Sequence, residues 1–212
     1  IQEFYVDTGL SPEQVTRLIR PGDPVTLIQK FLDLGEAISG KALDNRVACW
    51  VGIHLLERLT HPKHDVYVVF TVQEEIGMRG AITSSYAIEP DIGIAIDTPL
   101  AVDTPGVPEE DAETRLGEGC AIKIMDASVD SDRALVDQFI DCAEEHDNPF
   151  QLEILPLGGT DAAALQRSKM GAQTITLSVP TRYIHSVTEM VLKRDLHATL
   201  ELLTLSLQPS TS

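Results

Sequence analysis

Apolar runs and amphipathic stretches alternate along most of the chain after residue 40. Runs rich in apolar residues predict strands at 65–72, 91–97, 120–125, 151–155 and 172–179. The runs at 65–72, 91–97 and 172–179 are continuous enough for strands buried on both faces. Apolar residues at helical spacing predict helices at 44–59, 78–88, 131–146, 160–169 and 188–207. This alternation predicts an α/β fold, a three-layer sandwich around a mixed, mainly parallel central sheet.

The first 40 residues have a different pattern. Short apolar segments at 4–6 and 24–28 are separated by turns rich in Pro and Gly, and a short helix is predicted at 12–19. This region is too small to bury a core of its own, so we expect it to pack against another part of the protein. At the other end, the polar residues 208–212 predict a loose tail.

Composition and charge narrow the class of protein. With 212 residues and 43% hydrophobic residues, the chain can form one large α/β domain, and disorder is excluded for most of it. The formal net charge of −17 argues against nucleic-acid and anionic-membrane partners, and no apolar run is long enough to span a bilayer. Three cysteines and no secretory signal in the first residues indicate a reducing, cytoplasmic location.

Candidate catalytic residues follow the predicted strands. Glu74 and Glu75 follow the first strand, Asp97 ends the second and His185 follows the last, while Asp44 begins the helix before them. Ligands of α/β sheets bind at the carboxyl ends of strands, so we expect these side chains to converge. Carboxylates with one imidazole suit a divalent ion such as zinc, cobalt or manganese.

The adjacent pair of glutamates allows a division of roles. In an extended segment one of Glu74 and Glu75 could bind metal while the other acts as a base, because neighbouring side chains point opposite ways. Asp44 could bridge two ions, which lie only about 3.5–4 Å apart in two-metal sites.

Each residue also has a structural interpretation. Asp44 could cap its helix, the two glutamates could end a solvated strand, and Asp97 could form a turn. The sequence at 158–161 could be a plain turn capped by Thr160 or Asp161. The other five histidines (His54, His61, His64, His146 and His197) are interpreted as structural. The shared position at one sheet edge favours the metal site over these alternatives.

Five motifs in this order resemble the M42 family of dinuclear metallo-aminopeptidases. They are KALDNR at 41–46, TVQEEIGMRGA at 71–81, AID at 95–97, GGTDA at 158–162 and PTRYIHS at 180–186. The resemblance implies that Asp44 bridges two metal ions, Glu75 and His185 complete one site, and Asp97 binds the second ion. It implies Glu74 as the general base.

The resemblance also implies a domain organisation and an activity. Residues 1–40 would be the last part of an inserted β dimerisation domain, 41–207 the catalytic domain and 208–212 a tail. The activity would be removal of N-terminal residues from peptides by a hydroxide that bridges two Zn²⁺ or Co²⁺ ions. Homo-oligomers from dimer to dodecamer are implied as well. Candidates for substrate contact are Arg182, Tyr183, Gly159 and Asp161.

One departure from the family pattern leaves alternatives open. Family members carry a further ligand of the second ion in an upstream His-x-Asp motif, and this sequence contains no such motif. We therefore expect a chain that lacks the amino-terminal portion of the family fold, with an inactive subunit as the alternative. A related carboxypeptidase or deacylase is another alternative, in which the cationic Arg182 would bind the carboxylate of the substrate. A glycoside hydrolase with paired carboxylates is a distant alternative.

Overall fold

The computed structural model describes residues 5–208. Residue 4 of the predicted strand 4–6 and residues 209–212 of the predicted tail lie outside this range. The helices are α1 (Pro12–Leu18), α2 (Leu43–Arg58), α3 (Arg79–Ile88), α4 (Arg133–Glu145), α5 (Ala162–Gln166) and α6 (Lys193–Leu207). The strands are β1 (Leu32–Asp33), β2 (Ala37–Gly40), β3 (Ile92–Asp97), β4 (Cys120–Asp126), β5 (Phe150–Leu155), β6 (Gln173–Ser178) and β7 (Glu189–Leu192).

A four-stranded sheet with the order β3-β6-β4-β5 forms the centre of the fold. The pairs β3–β6 and β4–β5 are parallel, whereas β4 and β6 are antiparallel. The predicted mixed, mainly parallel sheet is confirmed. The carboxyl ends of the parallel strands β3 and β6 meet at one edge, where Asp97 lies beside Ser178.

Helices cover both faces of this sheet. Ile94 and Ile96 of β3 pack against a large apolar cluster that includes residues of α2, α4 and α6. Ala95, between them, belongs to a second cluster with Ala162 and Ala163 of α5. Since successive residues of a strand face opposite sides, the two clusters lie on opposite faces, and the predicted three-layer sandwich is confirmed.

A second, three-stranded antiparallel sheet has the order β1-β2-β7. Strand β2 lies within the first 40 residues but pairs with β7 near the end of the chain, where Gly40 is opposite Glu189. Residues that follow β2 and residues that precede β7 therefore lie at the same end of this ladder. The assignment of 1–40 to a separate domain stays a prediction.

The predicted helix 188–207 is wrong in its first turn. Residues Glu189–Leu192 form β7, and α6 begins only at Lys193. The apolar residues of β7 also fit helical periodicity, but the backbone of β2 offers them a ladder, and this tertiary pairing decides the conformation. The predicted helix 160–169 is shortened to α5.

The predicted strand 65–72, buried on both faces, is also wrong. These residues form no β-ladder within the described range, and Tyr67 and Val72 are 68% and 66% exposed. Val68 packs against the large apolar cluster, beneath the exposed side chains. The apolar composition is that of a strand, but no strand of residues 5–208 pairs with the segment.

The strand predicted at residues 24–28, within the first 40 residues, is wrong as well. Residues 24–28 form no strand, and the short strands β1 and β2 come after them. The predicted short helix is confirmed as α1, which is capped by Ser11. None of the helices in the described residues is long and apolar enough to cross a membrane.

Candidate metal centre

Three side chains from distant parts of the chain meet at one point. His185 Nε2 lies 3.2 Å from Asp44 Oδ2 and 3.3 Å from Glu75 Oε2. One donor atom from each of the three residues lies within 4.8 Å of the others, a spacing that one metal ion could bridge. Asp44 is mostly buried, whereas the side chains of Glu75 and His185 are exposed. The cluster is therefore open to solvent on one side.

Irregular backbone presents each of these residues. Asp44 interrupts the first turn of α2 with φ −77° and ψ 103°, and its side chain does not cap the helix. Glu75 lies in a single 3-10 turn, Glu74–Ile76, so the expected extended conformation of the two glutamates is wrong. His185 has a left-handed φ of 61°. The left-handed φ of His185 is costly for a residue other than Gly, and such conformations are concentrated at functional sites.

Asp97 lies at the end of β3 but outside the three-residue cluster. Its Oδ1 accepts hydrogen bonds from the Thr98 N–H at 2.8 Å and from Asn45 Nδ2 at 3.2 Å. Asn45 Nδ2 also donates to the Ile96 carbonyl at 2.8 Å. Asn45 follows Asp44 directly, so its amide links the start of α2 to the end of β3.

The electrostatics of the site favour a cation. Burial, together with the nearby carboxylates of Asp161, Glu75 and Asp44, raises the pKa of Glu74 to about 7. Burial, followed by the charge of Asp44, also raises the pKa of Glu75. Burial raises the pKa of Asp97 well above its ordinary value. Carboxylates that repel one another in this way are stabilised by a divalent ion, so the donor set fits a metal of the zinc or cobalt type.

The sequence matches a known protein family. A sequence profile of the M42 glutamyl aminopeptidases matches residues 1–202. The chain belongs to the M42 peptidase family. Among its relatives, a putative aminopeptidase of Acetivibrio thermocellus is 34% identical over 204 residues, which are 96% of this chain and 61% of that protein.

Solved M42-like structures share the fold. An aminopeptidase from the archaeon Desulfurococcus kamchatkensis is 39% identical with a TM-score of 0.90, over 95% of this chain and 57% of that one. The TET1 peptidase of Pyrococcus horikoshii, which can assemble into a tetrahedron or a large octahedral shell, is 30% identical with a TM-score of 0.76. That match covers 92% of this chain and 57% of the TET1 chain. This M42 chain thus spans roughly three-fifths of the length of these relatives.

The candidate substrate residues have different surroundings. The Arg182 guanidinium donates to Asp103 Oδ1 at 2.6 Å, so an acidic partner within the chain already neutralises it. Tyr183 is 50% exposed and has the left-handed φ of 59°. Gly159 is exposed beside Ser128, whose Oγ would lie 2.6 Å from an added Cβ. No side chain larger than hydrogen fits at Gly159 without displacing that serine.

Asp161 is linked to the segment that precedes the 3-10 turn Glu74–Ile76. Its Oδ2 accepts a hydrogen bond from Thr71 Oγ1 at 2.6 Å, and burial raises its pKa. It makes no capping bond to α5. Thr160 does not cap the helix either, since its hydroxyl bonds Asp126 and Thr176. The interpretation of 158–161 as a plain capped turn is therefore wrong, and Asp161 lies close enough to Glu74 to raise its pKa.

Glu189 is a residue of the site that the sequence analysis missed. It is 2% exposed, and its carboxylate accepts backbone hydrogen bonds from both Asp44 and His185. Helical periodicity places it in the last predicted helix, 188–207, where an acidic residue in the first turn needs no further explanation. The available signal was a single acidic residue ahead of the apolar Met190–Leu192 run, four positions after the candidate ligand His185.

Proposed function

We propose that the protein is a metal-dependent aminopeptidase that removes N-terminal residues from peptides. The observation that carries the proposal is the cluster of Asp44, Glu75 and His185 with Glu74 next to it, in a chain of the M42 family. The aminopeptidase relatives support the reaction class. The active protein would include the remaining part of the family fold, since this chain spans only part of its relatives.

Two divalent ions would occupy the site. One ion would be bound by Asp44, Glu75 and His185. A second ion would be bound by Asp44 and Asp97, which supply only part of its ligands. Zn²⁺ and Co²⁺ both suit this mixture of carboxylate and imidazole donors. When bound, such ions would lower the pKa of a water molecule and polarise the carbonyl of the scissile peptide bond.

Glu74 would act as the general base. Its pKa of about 7 in the absence of an ion is near the operating pH, where a carboxylate can both take up and release a proton. It would accept the proton of the attacking water and deliver it to the leaving amine. The carboxylates around it would attract the positively charged α-amine of a peptide, which explains a preference for free amino ends.

The assembly is also proposed. Residues 1–40 would form part of a dimerisation domain, and the protein would form homo-oligomers in the cytoplasm. The TET1 peptidase can assemble into a tetrahedron or a large octahedral shell. This property of a relative supports the proposal that the present protein also forms oligomers. The exposed apolar side chains within 1–40, such as Val25, Leu27 and Ile28, support burial of this region in a larger assembly.

An inactive subunit is the second candidate. It is favoured by the position of Asp97 outside the three-residue cluster, because within residues 5–208 we assign only Asp44 and Asp97 to a second ion. Such a subunit would bind one ion and show no turnover.

The proposal is tested by hydrolysis of a panel of aminoacyl-p-nitroanilides with added Co²⁺ or Zn²⁺. Each substrate is paired with its N-acetylated form, and Glu74→Gln is compared with the matched surface variant Glu201→Gln, whose carboxylate pairs with Arg58 outside the site. We expect cleavage of free-amine substrates only, loss of turnover in E74Q with metal still bound, and normal turnover in E201Q. Metal binding without turnover would favour the inactive subunit, and metal-independent cleavage of a glucan would favour a glycoside hydrolase.

A further inference from the structure

We infer that Glu189 is a positioning residue, which holds the backbones of Asp44 and His185 in the arrangement that a metal ion requires and thereby sets the affinity of the site. The inference rests on the proposed metal site. Glu189 itself is not among the three clustered donors. It acts through the two ligands whose backbones it binds.

The two oxygens of Glu189 are divided between the two ligands. Oε2 accepts the Asp44 N–H at 3.0 Å, and Oε1 accepts the His185 N–H at 3.0 Å. The residue is only 2% exposed, so water does not compete for these bonds. One buried carboxylate therefore joins two candidate ligands that lie far apart in the sequence. The side chains of these two residues approach to 3.2 Å, between His185 Nε2 and Asp44 Oδ2.

The strand pairing explains why a residue of β7 reaches both ligands. Glu189 is the first residue of β7 and lies opposite Gly40, the last residue of β2. Asp44 follows β2 after a short connection, and His185 precedes β7. Both connections leave regular structure at this point, since Ala42 and His185 have φ values of 59° and 61°. The carboxylate replaces the ladder and helix hydrogen bonds that these two amides lack.

The chemistry of the contact requires a carboxylate. Two N–H donors point at one side chain, and a carboxylate presents a separate acceptor oxygen to each of them. The amide of a glutamine offers one acceptor and one donor, so Glu189→Gln keeps one bond and places two donors face to face at the other. The variant has nearly the same volume, so packing in β7 changes little.

A purely structural role predicts a different result. In that case E189Q would lower the stability of the metal-free protein and leave the metal affinity of the folded fraction unchanged. A positioning role lowers the affinity itself, because the ligands lose their fixed separation. Loss of an outer partner of a metal ligand typically weakens binding about 10–100-fold.

The experiment compares wild type, E189Q and E201Q by calorimetric titration of the metal-free proteins with Zn²⁺ or Co²⁺. Thermal unfolding of the metal-free forms and hydrogen exchange of the Asp44 and His185 amides are measured in parallel. Glu189→Asp, which keeps both acceptors but is one methylene shorter, serves if E189Q does not fold. We expect about 10–100-fold weaker metal binding and faster exchange at both amides in E189Q, and wild-type values in E201Q.

The outcomes separate this inference from the proposed function. If wild type and E189Q bind metal equally, the positioning role is overturned while the metal site stands. If slow exchange of the two amides is unchanged in E189Q, the hydrogen bonds on which the inference rests are overturned. If wild type binds neither metal, the proposed site fails, and the positioning role fails with it.

Discussion

His185 Nε2 lies 3.2 Å from Asp44 Oδ2, although these residues lie near opposite ends of the stretch 41–207 in the sequence. Two groups that can both bind a cation are thus brought together at the entrance of an acidic site. A site of this kind is stabilised by an ion that both groups contact, and it loses affinity when either group is removed.

The first prediction concerns His185. We expect His185→Ala to weaken Zn²⁺ or Co²⁺ binding by more than about 100-fold, because loss of a direct ligand should exceed the loss of an outer partner. The folded structure should be retained, since the side chain is 63% exposed. Metal titration by calorimetry measures the effect. His61→Ala, at an exposed position before the 65–72 segment, is the control, and equal weakening in both variants would contradict the ligand role.

The second prediction concerns Gly80, which packs the first turn of α3 against residues 71–72, just before the 3-10 turn Glu74–Ile76. A Cβ at Gly80 would lie 2.4 Å from Val72 N and 2.7 Å from Val72 O, so the backbone would have to move. We expect Gly80→Ala to lower the free energy of unfolding by roughly 1–3 kcal/mol despite the better helix propensity of Ala. Displacement of the 72–78 segment should also weaken metal binding, because Glu75 belongs to it.

Urea denaturation and metal titration test this expectation against a matched change. Gly40→Ala places its Cβ 3.5 Å from Phe31, an ordinary contact, and Gly40 has no left-handed φ. It should therefore leave stability nearly unchanged. Similar stability of wild type and G80A would show that the close approach to Val72 does not matter.

The third prediction is a pH dependence at Asp103. Burial raises the pKa of this carboxyl, but hydrogen bonds from Arg182 and from the Leu116 N–H outweigh burial and hold the pKa below its usual value. A carboxyl whose pKa is lower in the folded state stabilises the fold above its unfolded pKa of about 3.9. That contribution is lost as the pH falls through the folded pKa.

We therefore expect Asp103→Asn to lower the free energy of unfolding by about 1 kcal/mol at pH 7. The difference from wild type should shrink as the pH falls below about 4. Urea denaturation at several pH values measures both effects. Asp91→Asn, at an exposed position before β3, should show no such difference. A constant difference across the whole pH range would exclude the ionised Asp103–Arg182 contact as its source.

The fourth prediction concerns the exposed apolar segment 65–72. Its outer side chains include Tyr67, Val69, Phe70 and Val72, which are 43–68% exposed. Exposed apolar segments of strand-like composition promote association with other chains. We expect Tyr67→Lys to reduce self-association of this 212-residue chain, measured by light scattering after size exclusion.

A matched surface change separates this segment from general solubility. Met170→Lys replaces a side chain that is 99% exposed and lies outside the segment. It should have little effect on association. If both substitutions reduced self-association equally, the cause would be the change in net charge rather than the apolar surface of residues 65–72.

The candidate site was accessible to sequence analysis where its residues follow strands or lie in motifs. Asp44, Glu75 and His185 were predicted as ligands, and the structure brings them together. The position of Glu189 after His185 was a weak signal on its own, because the importance of Glu189 depends on the pairing of β7 with β2 across most of the chain. Arg182 was predicted as a substrate contact, yet its partner Asp103 comes from a loop that periodicity does not describe.

Local composition was sufficient to predict the order of most helices and strands and the mixed central sheet. Continuous apolar runs and helical spacing report how much of a segment is buried, and this information is present in the amino acids themselves. It was not sufficient for 65–72 or for 189–192. A run of β-branched residues becomes a ladder only when another strand supplies hydrogen bonds, and only the tertiary structure showed that β7 has such a partner while 65–72 has none among residues 5–208. The geometry of the candidate metal centre depends on the same non-local contacts, because the backbone N–H groups of Asp44 and His185, which lie far apart in the sequence, both donate to the carboxylate of Glu189.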